Sequence, residues 1–179
     1  AIYDSTAIFT RESKNTIKLG HEKSLSFYAQ DKHYFSSHFI LNVGLRYDLK
    51  FRANNTQVDA LSPRLAFIYL PSKAFSMKLS YSKAFVDAPY FYRFNSDNTY
   101  MGLENLQPEY LNAVQLDMLG KIDPWHLTYD VNLFYNKFKN LIYLNALASL
   151  EEPKYLNSGR LENVGAEASI NYAGKRLIA

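Results

Sequence analysis

Residues 39–52 alternate with a period of two. Phe39, Leu41, Val43, Leu45, Tyr47, Leu49 and Phe51 fall on one side of an extended chain, and Asn42, Arg46, Asp48, Lys50 and Arg52 on the other. Such a strand separates an oily phase from an aqueous one. Its length suits a tilted strand crossing a bilayer, about 9–11 residues. The pattern recurs from Trp125, where Leu127, Tyr129, Val131, Leu133 and Tyr135 alternate with His126, Thr128, Asp130, Asn132 and Asn136, and only Phe134 breaks the polar side. In residues 76–85, Met77, Leu79, Tyr81 and Phe85 oppose Ser76, Lys78, Ser80, Ser82 and Ala84; Lys83 is the exception, suited to a rim where its amine can snorkel. Val164, Ala166, Ala168, Ile170 and Tyr172 alternate with polar or small neighbours, as do Val114, Leu116 and Met118. Weaker strands are expected at 25–35 and 61–70, and residues 2–10 are β-like without a clear apolar face.

Connections alternate in length. Residues 35–38, 71–74, 121–124 and 173–176 are tight links rich in turn formers, whereas 52–60, 88–107 and 145–154 are longer. Short turns at one end and long loops at the other are the habit of outer-membrane barrels. Rings gather near the ends of the apolar stripes, as at Trp125 and Tyr135 or Phe75 and Phe85, where interfacial girdles would place them.

Composition sharpens this picture. The 179 residues hold 15 Tyr and 12 Phe against one Trp, which favours β-structure or a surface between phases. With no Cys, disulfides and thiolate metal sites are excluded. A net charge of +3 spread along the chain gives no nucleic-acid footprint. No apolar run approaches the roughly 20 residues of a membrane helix, so a spanning role requires strands whose backbone groups pair all round. The expected fold is all-β: an antiparallel up-and-down transmembrane β-barrel, of which residues 1–179 supply one partial domain of about eight or nine strands. On that reading Arg46, Asp48, Arg64 and Asp130 face the lumen, where mutual pairing is the plainer role, and Gly44 leaves lumen space for a ring or a close backbone approach. Pro63 and Pro108 mark places where loops become strands.

The residues from Leu25 onward resemble the C-terminal part of the barrel of TonB-dependent outer-membrane receptors. The resemblance runs through Tyr28-Ala29-Gln30-Asp31, then Leu41 to Asp48, Leu61-Ser62-Pro63-Arg64-Leu65, Tyr81-Ser82-Lys83-Ala84-Phe85, Ala88-Pro89, Leu106-Gln107-Pro108-Glu109, Phe134-Tyr135-Asn136 and Asn157-Ser158-Gly159, with Gly165 and Glu167 beyond. Asp87 stands where Arg is common before Ala-Pro, and Gln115 where an acid is common; neither upsets the strand pattern. The resemblance implies a piece of a larger, roughly 22-stranded barrel in the outer membrane of a Gram-negative bacterium. It further implies active import of a scarce nutrient, such as an iron–siderophore, a corrinoid or a glycan. The implied partners are outer-membrane lipid, the nutrient ligand, a plug domain of the same parent chain and the TonB complex, engaged through an N-terminal part that this sequence does not display.

Catalytic signals are weak, so a non-enzyme is expected. His21, His33, His38 and His126 are scattered, and no nucleophile elbow, paired metal-ligand motif or phosphate-cradling glycine loop appears. The best functional candidate is the stretch 88–107, where Tyr90, Phe91, Tyr92, Arg93 and Tyr100 gather. Rings on a long loop can stack on a sugar or an aromatic chelate, and Arg93 can hold an anion. The plainer reading is that these rings fold the loop on itself. A rival from another class is a stand-alone small barrel or β-sandwich serving as a binding or adhesion module.

Overall fold

The computed structural model describes residues 20–94, 96–97, 100–149 and 152–174. Its elements, in chain order, are β1 (Lys23–Tyr34), β2 (Phe39–Phe51), β3 (Gln57–Ser72), β4 (Phe75–Val86), a short helix α1 (Tyr90–Phe94), β5 (Ser96–Asp97), β6 (Tyr100–Met101), β7 (Glu109–Ile122), β8 (Leu127–Leu144) and β9 (Tyr155–Tyr172). Seven strands form one antiparallel sheet in the order β1-β2-β3-β4-β7-β8-β9, each paired with its predecessor, while β5 and β6 make a separate two-stranded ribbon. This is an up-and-down segment of a barrel, left open between β1 and β9. The β-like stretch 2–10 lies outside the described residues, as do Lys175 and Arg176 of the last tight link.

The polarity of this sheet is inverted relative to a water-soluble domain. Outward rings and aliphatics such as Val43, Leu45, Phe67, Leu79 and Val164 are exposed, the last at 78%. Asp48 and Arg52, on the opposite face, are buried. No second sheet covers the apolar face among the described residues, which removes the sandwich alternative. An apolar exterior beside a polar interior is the arrangement that hydrocarbon selects.

The register shows that the strands are tilted. Asp31, Val43, Leu65, Tyr81, Val114, Tyr135 and Val164 lie in one row across the sheet, apolar from β2 to β9 but charged on β1. On β1 the outward apolar residues are instead Leu25, Phe27 and Ala29, nearer the loop end. The apolar band therefore crosses the rows diagonally, as it must when strands incline to the barrel axis.

Several boundaries differ from the sequence expectations. Trp125 belongs to a 3-10 turn, Asp123–Trp125, and β8 starts at Leu127 after His126 adopts a left-handed φ of 51°. β8 also runs past Asn136 to Leu144, carrying a bulge at Asn140, whose φ is 56°. The β2–β3 link is only residues 52–56, closed by an Asn54 side-chain turn to Thr56 and by Asn55 at φ 62°. Pro63 lies inside β3, harmlessly, because pairing with β4 begins only at Arg64. Pro108 does sit at a boundary, immediately before β7.

Gly44 has only ordinary contacts around it, with Arg64 Cβ 3.7 Å from a Cβ built there, so no ring or close backbone requires it. Gly120, against the Tyr129 ring, and Gly165 are positions that do. Gly165 faces Phe134 in register, and a Cβ there would collide with the Phe134 ring. The missing side chain explains how an aromatic residue is tolerated on the polar side of β8.

Candidate functional site

The long connection between β4 and β7 folds back over the loop end of the polar face. Ala88, Phe94 and Leu106 are buried there with Ala60 of β3. The path is fixed by short-range bonds: Tyr92 N donates to Pro89 O at 3.1 Å, Leu103 N to Tyr92 O at 3.1 Å and Leu106 N to Leu103 O at 3.2 Å.

An ionic cluster pins this connection down. Lys50 and Arg52 project from the end of β2, Glu22 from just before β1, and Asp87 and Arg93 from the connection itself. Lys50 Nζ lies 2.9 Å from Glu22 Oε2 and 2.8 Å from Asp87 Oδ2, and Arg52 bonds Asp87. Arg93 donates to Glu22 Oε1 at 2.5 Å and to Ala88 O at 3.1 Å, and its guanidinium lies over the Phe94 ring at 4.9 Å. Asp87 also accepts from Ala88 N at 2.9 Å. The Asp87 carboxylate thus joins β2 to the loop from one side, and Glu22 does so from the other.

Burial alone would raise the pKa of both carboxyls, but the cations reverse it. Hydrogen bonds from Arg52 and Lys50 hold Asp87 below its ordinary 3.8, and those from Lys50 and Arg93 hold Glu22 below 4.5. A depressed carboxylate stabilises the closed arrangement at pH above its ordinary value and loses that contribution as pH falls through the lower, folded value. The β4–β7 connection is therefore expected to stay anchored from neutral pH down to the ordinary carboxylate range, and to loosen in more acid solution. A spin label at Phe91→Cys in the parent receptor should gain mobility only at the acid end. Mobility that stays constant from pH 7 down to the lowest pH at which the barrel remains folded would show that these carboxylates do not hold the loop.

The expected site residues have distinct fates. Arg93 is not available to solvent in this arrangement: its side chain is 0% exposed and engaged by Glu22. Burial against Phe94, with Glu22 as counterion, is the reason. Tyr90 lies within the same packing, its ring 4.6 Å from that of Phe94, and its hydroxyl is among the atoms nearest Gly20. Tyr92 stacks on Tyr155 with ring centroids 3.7 Å apart and planes at 12°. Phe91 is 43% exposed. Tyr100 is in β6, and its side chain falls outside the described residues.

Further down the polar face, Arg46 and Asp48 pair at 2.7 Å, and Ser26 Oγ donates to Asp48 at 2.5 Å. Arg64, opposite Gly44 and Ser82, lines a cavity of about 450 Å³ with Gln30, Asn42, Lys78 and Gln115. Asp130 stands apart, exposed near the turn end between Leu119 and Ser169.

Sequence reasoning missed Glu22 and Asn157. Asn157 binds two other segments at once: its Oδ1 accepts from Gln107 N at 2.7 Å, and its Nδ2 donates to Gln107 O at 2.9 Å and Asn140 O at 2.8 Å. With Lys154 N donating to Met101 O at 3.1 Å, it draws the β8–β9 connection against the β4–β7 connection. Asn157 sits in the resemblance but carries no local pattern that announces this task.

The comparisons agree with the geometry. The family model described as TonB dependent receptor-like, beta-barrel, matches residues 3–177. No curated protein sequence matches the chain. Among solved structures, the Serratia marcescens hemophore receptor HasR, a double mutant in complex with its hemophore HasA and heme, is similar with a TM-score of 0.70 and 20% identity, over 89% of this chain and 33% of that one. The siderophore receptor PirA of Pseudomonas aeruginosa gives a TM-score of 0.66 and 22% identity over 84% of this chain and 28% of its own. The FrpB iron transporter of Neisseria meningitidis gives 0.65 and 16% over 86% and 24%. The chain thus spans between a quarter and a third of these receptors. The family consists of receptors and transporters rather than enzymes. A tilted, apolar-out antiparallel sheet matched over nearly its whole length makes this chain a member of the TonB-dependent receptor β-barrel family, resident in the bacterial outer membrane.

Proposed function

We propose that this chain forms the ligand-gathering side of an active importer for an iron chelate, with heme as a close variant of that cargo. The observation that carries the proposal is the meeting of two long connections at one end of the polar face, where Phe91, Met101 and the Tyr92–Tyr155 stack come together. Flat rings on a pinned scaffold stack on flat aromatic or conjugated ligands at small entropic cost. Iron and heme cargoes of the similar receptors favour this class over a corrinoid or a glycan. Transport itself would need the rest of the barrel, a plug in its lumen and coupling to the TonB complex.

The test is direct. In the parent receptor, the pair Phe91→Ala and Tyr92→Ala should weaken binding of a ferric catecholate or heme about tenfold or more, since each stacking ring contributes about 0.5–1.5 kcal/mol beyond its buried area. Barrel assembly should be unchanged. Affinity equal to the unmodified receptor for both probes would remove this loop from the ligand site.

A further inference from the structure

We propose that Tyr92 and Tyr155 form a site of oxidative modification, at which hydrogen peroxide, activated by a diffusing ferric catalyst, joins the two rings through a carbon–carbon bond and ties the β4–β7 connection covalently to the start of β9. The rings are stacked with centroids 3.7 Å apart and planes at 12°, and a side-chain hydrogen bond links their hydroxyls. They therefore lie head to head, with the ortho carbons that flank each hydroxyl close to those of the other ring. Tyr69, Tyr110 and Tyr90 meet phenylalanines instead, Phe39, Phe85 and Phe94. A phenylalanine has no phenolic hydrogen to give up, so those contacts have no such bond open to them.

Both rings are held in place from their backbones. Tyr92 N donates to Pro89 O at 3.1 Å, and Tyr92 O accepts from Leu103 N at 3.1 Å. On the other side Lys154 N donates to Met101 O at 3.1 Å and Asn157 grips Gln107, so Tyr155 lies between two ties to the same connection. Partners held together react as one molecule rather than by encounter, a gain of many orders of magnitude in effective concentration. Both residues are half-buried, open enough for a small oxidant. In the step, each phenol loses one electron and its hydroxyl proton, and the two radicals, whose spin spreads onto the ortho carbons, pair to form the new bond. The hydrogen on each bonded carbon then shifts to its ring's oxygen as aromaticity returns. Hydrogen peroxide takes up the two electrons and two protons and leaves as two waters. No cargo in the receptor is required, so the step stands apart from the ligand proposed above. The product is a clasp: the two connections cannot separate without breaking a covalent bond.

The experiment treats the parent receptor, folded in detergent, with hydrogen peroxide and a soluble ferric heme peptide, then digests it and reads the peptides by mass spectrometry. The expected product is the peptide holding Tyr92 joined to the one holding Tyr155, two hydrogens lighter than their sum, at a fractional yield that does not change on diluting the receptor. Receptor unfolded in hot dodecyl sulfate should give about tenfold less of it, and Asn157→Ala, which removes one tie beside Tyr155, about twofold less or lower. Met101 is 43% exposed, and its conversion to the sulfoxide shows that the oxidant has reached this end. Absence of the joined peptide in samples where Met101 is oxidised would overturn the proposal. So would Tyr155 joining Tyr90 or Tyr143 as often as Tyr92, an equal yield from the unfolded receptor or from Asn157→Ala, or a yield that falls on dilution.

Discussion

Asp87→Ala in the parent receptor is expected to release the β4–β7 connection at neutral pH, at a cost of about 3–5 kcal/mol to the closed arrangement. The reason is what the carboxylate leaves behind. The Arg52 side chain is only 3% exposed, Asp87 is its one ion-pair partner among the described residues, and its Nε already has no hydrogen-bond partner there. Without Asp87 a buried guanidinium faces no counterion, and the cheapest relief is to lift residues 87–94 away and let water in. Lys50 keeps Glu22, so the damage should centre on Arg52. Protease cleavage within 87–107 measures it, and the unmodified receptor should resist under the same conditions. The double variant Asp87→Ala with Arg52→Met should recover much of that resistance, because removing both members of a buried pair is far less costly than removing one. If the single variant resists cleavage as well as the unmodified receptor, the cluster is not what holds the loop.

Leu133→Arg should impair assembly by about 2–4 kcal/mol, whereas Asn132→Arg, one residue away, should be nearly neutral. Leu133 stands in the middle of the outward band, between Val131 and Tyr135 and opposite Leu116 and Ala166. A guanidinium there would have to sit in hydrocarbon or drag water to itself. Asn132 points to the other face, where it already donates to Asp117 at 2.5 Å and where Lys78 lies 2.8 Å from the same carboxylate. An added cation at that position finds water and an acid. Urea unfolding of the parent receptor from lipid vesicles gives the two costs. Equal penalties at 132 and 133 would contradict the assignment of faces, whatever their size.

The strands themselves were legible because hydrocarbon imposes a rule that acts residue by residue. Where one side of a strand meets lipid, a polar residue is penalised locally, so the apolar side of the alternation in 39–51 and 127–136 is unbroken. Legibility fails where that pressure stops. Beyond Asn136, β8 rises out of the band, Lys137 and Lys139 replace aliphatics, and the last turns of the strand lose their period. The β2–β3 link reads as longer in sequence than it is for the same reason: Gln57, Asp59 and their neighbours pair with β2 above the hydrocarbon, where outward polarity is tolerated.

The candidate site was half legible. A crowd of rings in 88–107 signals a packed or binding loop, but composition cannot separate the ring that stacks outward from the one that folds inward. Arg93 reads equally well as an anion holder, and only the tertiary structure brings Glu22 and Phe94 around it. Glu22 is 71 residues from Arg93 in the chain, and a lone acid before a strand carries no local mark. Asp87, a departure from the expected pattern, turns out to join Lys50, Arg52 and the loop.

By itself the sequence determined the fold class, the strand faces and the membrane setting, because each is enforced by a period-two contrast between neighbouring residues. Tertiary structure decided the tilt of the apolar band across the register, the closure of the long connection and the identity of the buried charges. Those depend on which distant side chains meet, and a buried ion pair, unlike an apolar stripe, needs only one partner at the right place in space.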